Sequence, residues 1–188
     1  MKVREATTSD VDAAVEILDR ALGDYPMTLA CIDPGRLTEY HQLFVSAIGL
    51  PHGRIWVTDD VSAVAVWFPP TMAADVFAPH AAAFQEISGS RAAVAAEYGQ
   101  ATAIFHPPEP LWVLALAAVD PDLQRQGLGR AVIAPGLAAA DAEHVAAFVE
   151  TQDPANVGFY ESLGFIVTAE LELPHRGPIH YAMYRAAR

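Results

Sequence analysis

One segment limits the possible folds more than any other: the run LWVLALAAV at 111–119, followed at once by DPDLQRQGLG. A nearly unbroken apolar run that stops at Asp120-Pro121 has the character of a central strand buried on both faces. The proline and the glycines at 127 and 129 then impose a loop, beyond which 130–143 reads as a helix and 145–151 as a second apolar strand. Pro135 and Gly136 fall inside that helix and predict a kink or a delayed start. Strand, loop, helix and strand make a crossover unit, so the two strands are expected to be parallel neighbours with a ligand site at their carboxyl ends.

The flanking sequence supplies partners for that unit. Residues 3–6 read as a short strand, and Thr8, Ser9 or Asp10 can cap a helix carrying Val11, Val15, Leu18 and Leu22 at helical spacing. Asp33, Pro34 and Gly35 break the chain before a second helix with Leu37, Tyr40, Leu43, Phe44 and Ala47 on one side. Arg54–Thr58 and 61–68 are β-branched and aromatic, with Asp59-Asp60 as the turn of an antiparallel hairpin. Pro69 and Pro70 end it, and the alanine-rich stretch 72–103 reads as helix with loops. Asp153 can cap a further helix with Pro154 at its first position, running through Phe159 and Tyr160 to Gly164. Strands at 165–173 and Ile179–Arg185 close a mixed sheet. With 188 residues and no internal repeat, the chain 1–188 reads as a single domain of the α+β class.

Composition removes several classes of function. The net charge of −12 disfavours a polyanionic partner, so no nucleic acid is expected, and it suits a cationic small molecule. The hydrophobic fraction of 53% is swollen by alanine, and no stretch nears the roughly 18 uncharged apolar residues of a membrane span. Residues 1–10 carry charges where a secretory peptide would place an apolar core, so cytoplasmic residence is expected. The single cysteine, Cys31, excludes an intrachain disulfide; in TLACIDPG it has no activating neighbour and reads as a small buried residue. The histidines at 41, 52, 80, 106, 144, 175 and 180 show no His-Glu-x-x-His spacing, and no metal is expected. Trp56, Trp67 and Trp112 sit in strands as core, with one of them available to line a pocket.

The loop at 124–130 carries the most specific chemistry. Gly127 and Gly129 permit close approach of a ligand to the backbone, and successive amides open onto a helix N-terminus whose dipole favours anions. A pyrophosphate fits such a cradle, with Arg125 and Arg130 able to add charge-assisted hydrogen bonds. The loop lacks the Gly-Lys-Ser/Thr of nucleotide triphosphatases, and Val132 stands where a dinucleotide fingerprint has its third glycine. A glycine pair alone would equally make an ordinary turn.

The pair is not alone. The chain resembles the GNAT superfamily of N-acetyltransferases, whose pyrophosphate motif runs Gln or Arg, two residues, Gly, one residue, then Gly or Ala; Gln124, Gly127 and Gly129 match it. The likeness extends to AVDP at the strand end, to Asn156, and to Phe159-Tyr160 before Gly164-Phe165. Within the superfamily, LWVLALAAVDP, QRQGLG and Glu150-Thr151 are similar to the puromycin N-acetyltransferase branch. The resemblance implies a three-layer fold with a mostly antiparallel sheet in which strand 111–119 splays from its parallel neighbour. Acetyl-CoA would enter that gap, its pyrophosphate on Gln124, Arg125, Gln126, Gly127, Leu128, Gly129 and Arg130. Its pantetheine arm would lie on the backbone at Ala117 and Val119 and on Asn156.

By the same resemblance, an amide near Ala117 polarises the thioester carbonyl and Tyr160 protonates the departing thiolate. Phenol and thiol have neighbouring reference pKa values. Tyr160 reads equally well as a core aromatic, and Asn156 as a helix-start polar residue. The attacking amine must be neutral, which requires a base. Some relatives place a glutamate where this chain has Val113, so Glu150 is the first substitute, with Glu109 and His106 as runners-up. The expected activity is direct acetyl transfer to a primary amine of a small molecule or peptide, with no membrane partner and with a homodimer left open. The missing base keeps a non-catalytic acyl-CoA sensor as the alternative, and a purely structural glycine loop as a third reading.

Overall fold

The computed structural model describes residues 2–188; Met1, first of the N-terminal stretch read above, lies outside them. Every residue of the strand β3 (Ala63–Phe68) is buried. Alternation sends Ala63, Ala65 and Trp67 into one apolar cluster and Val64, Val66 and Phe68 into another. A strand apolar on both faces must be covered on both, and this dictates three layers. One cover is α7 (Leu128–Glu143) with α8 (Pro154–Glu161), which contribute Val132, Ile133, Leu137 and Tyr160. The other is α1 (Val11–Leu22) and a long helix whose buried Phe44, Val45 and Ile48 fall in its middle.

That long helix begins as α3 (Leu37–Leu43), passes through a π-helical segment Phe44–Gly49, and ends as α4 (Leu50–His52). Before it, α2 (Pro26–Cys31) occupies a stretch that carried no sequence signal, and Pro26 at its start is the local reason for it. The alanine-rich region resolves into α5 (Ala81–Ser88) and α6 (Ala92–Ala103), with the residues before 78 outside any helix.

The sheet has the order β1-β2-β3-β4-β5-β7-β6. Its strands are β1 (Val3–Glu5), β2 (Arg54–Thr58), β3, β4 (Trp112–Val119), β5 (Ala147–Thr151), β6 (Ile166–Glu172) and β7 (Ile179–Arg185). All neighbours are antiparallel except β4 and β5, which run parallel as the crossover requires. The hairpin turn is longer than Asp59-Asp60, because Val61 takes a left-handed φ of 54° and β3 begins only at Ala63.

The expected delayed start does not occur: α7 begins at Leu128, before the expected Arg130, and runs unbroken through Pro135. Gly136 is there for packing. A Cβ on it would lie 2.3–2.6 Å from the Trp67 ring, so the glycine is what lets α7 cross the sheet at that point. Arg185, only 3% exposed, is held by paired bonds of 2.7 and 2.8 Å to Asp141 and so ties α7 to the far half of the sheet. Among the described residues no helix is long and apolar enough to cross a membrane.

Candidate active site

The parallel pair is short. β4 and β5 match only at Trp112–Ala147, Val113–Phe148 and Leu114–Val149, after which β4 is paired with β3 alone. The divergence has a local cause. Val66 faces Leu116 and Trp67 faces Leu114, so Ala115 is an extra residue, and such a bulge bends its strand. From there to Val119 the backbone of β4 has no strand on its β5 side, leaving polar groups for a ligand. A cavity of about 1220 Å³ opens at this gap, large enough for an extended cofactor with an acceptor beside it.

At one end of the cavity lies the glycine loop. Gly127 takes φ 86°, in the left-handed region, and caps α7 from there; Arg125 also has a positive φ, 60°. No backbone or side-chain group of the described residues accepts from the amides of 126–130. They are free donors at the start of a long helix, where the dipole adds to their attraction for an anion. Gly129 works differently from Gly127: a Cβ there would meet Val119 Cγ2 at 3.5 Å and Phe159 Cζ at 3.6 Å, which is ordinary contact. Its side is open to the gap between β4 and α8.

Gln124, Arg125, Gly127, Leu128, Gly129 and Arg130 all line the cavity, as do Ala117, Val119 and Asn156. Gln126 does not line it. Arg130 is engaged already, donating to Ser162 Oγ at 2.7 Å and bracing α7 against α8, which leaves Arg125 as the cation of the loop without a partner among the described residues. Arg20 of α1 pins the same region, meeting Asp120 at 2.7 Å and Asp122 at 2.9 Å.

Tyr160 lines the cavity from α8 and is also core, 8% exposed with its ring 5.3 Å from Phe159 and 6.0 Å from Phe165. Burial, with Tyr25 nearby, pushes its phenol well above the ordinary value, so it keeps its proton at any neutral pH. Tyr25 escaped the reading of the sequence. Its hydroxyl accepts from the Gln152 amide at 2.7 Å and lies 2.9 Å from Thr151 Oγ1, joining the start of α2 to the end of β5. Asn156 donates to the same Thr151 oxygen at 3.3 Å.

Glu150 also lines the cavity, and Oε1 stands 3.2 Å from Nε2 of the buried His180, without the alignment of a hydrogen bond. The runners-up lie elsewhere: Glu109 sits beside Tyr184, and His106 packs on Phe148 at 5.1 Å, both outside the cavity. Val113 is outside too, in the paired part of β4. The three tryptophans are core, and none lines the cavity.

The cavity is also lined by a mostly aromatic lobe of Met27, Cys31, Tyr40, Phe77, Phe84 and Tyr98, in which the rings of Tyr40 and Phe77 lie 5.5 and 6.2 Å from that of Phe84. Burial pushes the Cys31 thiol up to about 11 against a smaller opposing pull from Arg91, so it is protonated near neutrality and a poor nucleophile. His41, 1% exposed and bonded to Asp19, faces the same lobe. The sequence offered no cue for it, since no spacing marks a histidine that meets a carboxylate on another helix.

The family model for an acetyltransferase (GNAT) domain matches residues 59–185, more than half of the chain. Among solved structures, an acetyltransferase of Corynebacterium glutamicum described as histone acetyltransferase HPA2 and related acetyltransferase superposes with a TM-score of 0.77 at 24% identity, over 100% of this chain and 96% of that one. Arylalkylamine N-acetyltransferase 2 of Aedes aegypti gives 0.69 at 14% identity, over 100% and 99%. The ribosomal-protein-S18-alanine N-acetyltransferase of Escherichia coli gives 0.60 at 20% identity, over 98% and 92%. At such identities the likeness carries the fold.

Proposed function

Because the chain belongs to the GNAT acetyltransferase family, we propose that it transfers the acetyl group of acetyl-CoA to a primary amine of a small molecule or peptide by direct attack. The observation that carries this reading is the opened edge of β4, which runs from a loop of free amides to a buried phenol inside one cavity. Acetyl-CoA supplies the activated acetyl thioester. The amides of 126–130 and the side chains of Gln124 and Arg125 hold its diphosphate, and the edge of β4 at Ala117 and Val119, with Asn156, takes its amide-bearing arm.

A backbone N–H near Ala117 meets the thioester oxygen, where negative charge gathers as the new C–N bond forms. Tyr160 gives its proton to sulfur as the C–S bond breaks, and burial keeps that proton available. Glu150 offers a carboxylate to the incoming ammonium ion. The raised Cys31 thiol argues against a covalent acyl-enzyme, which supports transfer in one step. The aromatic lobe favours an amine carried on an apolar body, closer to the arylalkylamine of one fold neighbour's name than to the protein alanine of another's.

The test is calorimetric titration with acetyl-CoA of the wild type and of Gly129→Ala, whose methyl the fold accommodates. Binding in the wild type that the variant weakens by about tenfold or more supports the site and leads to a screen of amines by thiol release. No binding by folded wild type sinks the reading. Binding with no turnover on any amine returns the binding-only alternative.

A further inference from the structure

One buried titratable group on the cavity wall has no part in the transfer as described. His41 is 1% exposed and reaches the apolar lobe from α3. Its Nδ1 is 2.5 Å from Asp19 Oδ1, and the other oxygen of Asp19 accepts from Thr38 Oγ1 at 2.6 Å, so the carboxylate is fixed from two sides. A carboxylate only accepts, so Nδ1 carries the ring hydrogen and Nε2 holds a lone pair. Nε2 makes no hydrogen bond in the described residues, and it is not among the sealed, unpartnered atoms, which include Nε2 of His180. A buried imidazole oriented by a carboxylate, on the wall of the cavity and with its second nitrogen neither bonded nor sealed, has the arrangement of a general base.

We propose that His41, oriented by Asp19, takes the proton from the acceptor ammonium ion. The inference rests on the acetyltransferase reading of this cavity. An N–H bond of the ammonium breaks with its electron pair left on nitrogen, and the proton moves to Nε2, forming an imidazolium that faces Asp19. The freed pair attacks the thioester carbon. A second N–H proton, lost from nitrogen as the C–N bond forms, returns to the Tyr160 oxygen and replaces the one it delivers to sulfur, and the proton on His41 passes to water as product leaves.

The choice of His41 over a carboxylate follows from acidity. A base works best when its pKa lies near the working pH, and imidazole, near 6.5, is closer than a carboxylic acid near 4.3. Burial lowers His41 from its ordinary value and Asp19 pulls it partly back, so at pH 7 the ring is neutral and ready to accept. The other charges on the packed elements are turned away. Arg36 pairs with Glu39 and Glu86, Arg20 with Asp120 and Asp122, and Asp12 and Glu16 of α1 are exposed. Tyr40 and Cys31, the nearest titratable neighbours in the lobe, stay protonated.

The experiment has one arm free of any acceptor and one with it. Nitrogen-15 NMR of the wild type should find His41 in the Nδ1–H form at pH 7; an Nε2–H form overturns the proposal. His41→Asn keeps a donor toward Asp19 and removes the base. With the best amine from the screen, it should lose about 100-fold or more in kcat/KM at pH 7 while binding acetyl-CoA within about twofold of wild type. The wild type should show an acidic limb below the ordinary imidazole value, which the variant should lack, and the variant's rate should recover as pH rises toward the pKa of the free amine. Asp19→Asn should give a smaller loss of the same kind. A His41→Asn variant that keeps the wild-type limb, or falls evenly at every pH, overturns the base while leaving the transferase intact. A wild type that binds acetyl-CoA but acetylates no amine overturns both.

Discussion

The ring of Tyr160 belongs to the core cluster under α7, while the residue also lines the cavity. Tyr160→Phe should therefore separate the two roles. The packing against Phe159 and Phe165 survives, so the melting temperature should stay close to wild type. Loss of the proton donor should lower kcat by about 100-fold, with acetyl-CoA affinity unchanged in calorimetry. Because burial and Tyr25 raise its pKa, any alkaline limb from this residue should lie above the ordinary phenol value near 10. Equal loss of stability and activity would mean that the hydroxyl matters only to the core. The sequence singled out Tyr160 through its resemblance to the acetyltransferases, and the residue does line the cavity. Its neighbour Tyr25 was not singled out, since its partners are 126 and 127 positions away and nothing local marks it.

At the scale of elements, the sequence was most informative where composition forces one answer. The apolar run at 111–119 reads as a central strand and becomes β4, and the glycine loop after it opens onto α7, with Gly127 at φ 86° as its cap. It was least informative in alanine-rich stretches, because alanine fits any face of any helix. In α6, for instance, Tyr98 alone is buried, so no periodic stripe declared the element. Pro135-Gly136, read as a source of a kink or a delayed start, instead sits inside an unbroken helix where Gly136 meets Trp67 on the sheet. Gly136→Ala sets two effects against each other. Helix propensity gains at most about 1 kcal/mol, whereas overpacking a core costs about 1–3 kcal/mol. Distances of 2.3–2.6 Å to the Trp67 ring leave no room to relax cheaply, so the clash should win. The expected result is a lower denaturant midpoint at unchanged m-value, and a variant as stable as wild type would show that α7 can shift off the sheet.

For the whole molecule, the active cavity exists because the two ends of the chain are held on either side of a gap. The bulge at Ala115 opens the sheet, Arg20 fastens α1 to the loop after β4, and Tyr25, at the start of α2, reaches Thr151 at the end of β5 and the Gln152 amide just beyond it. None of this is visible in sequence, because each tie joins residues whose spacing along the chain carries no period. Of the two side-chain ties only Tyr25 lines the cavity, so Tyr25→Phe tests whether the gap must be held at that width. Removing the hydroxyl leaves the buried Gln152 amide without its acceptor, which costs about 1–3 kcal/mol. For a chain of this size, that lowers the melting temperature by roughly 2–4 °C per kcal/mol. If the tie also sets the geometry of transfer, KM for the amine should rise several-fold while KM for acetyl-CoA stays put, because the diphosphate loop is fastened separately through Arg20. A change in both constants alike would mean instead that the two halves of the cavity move as one body.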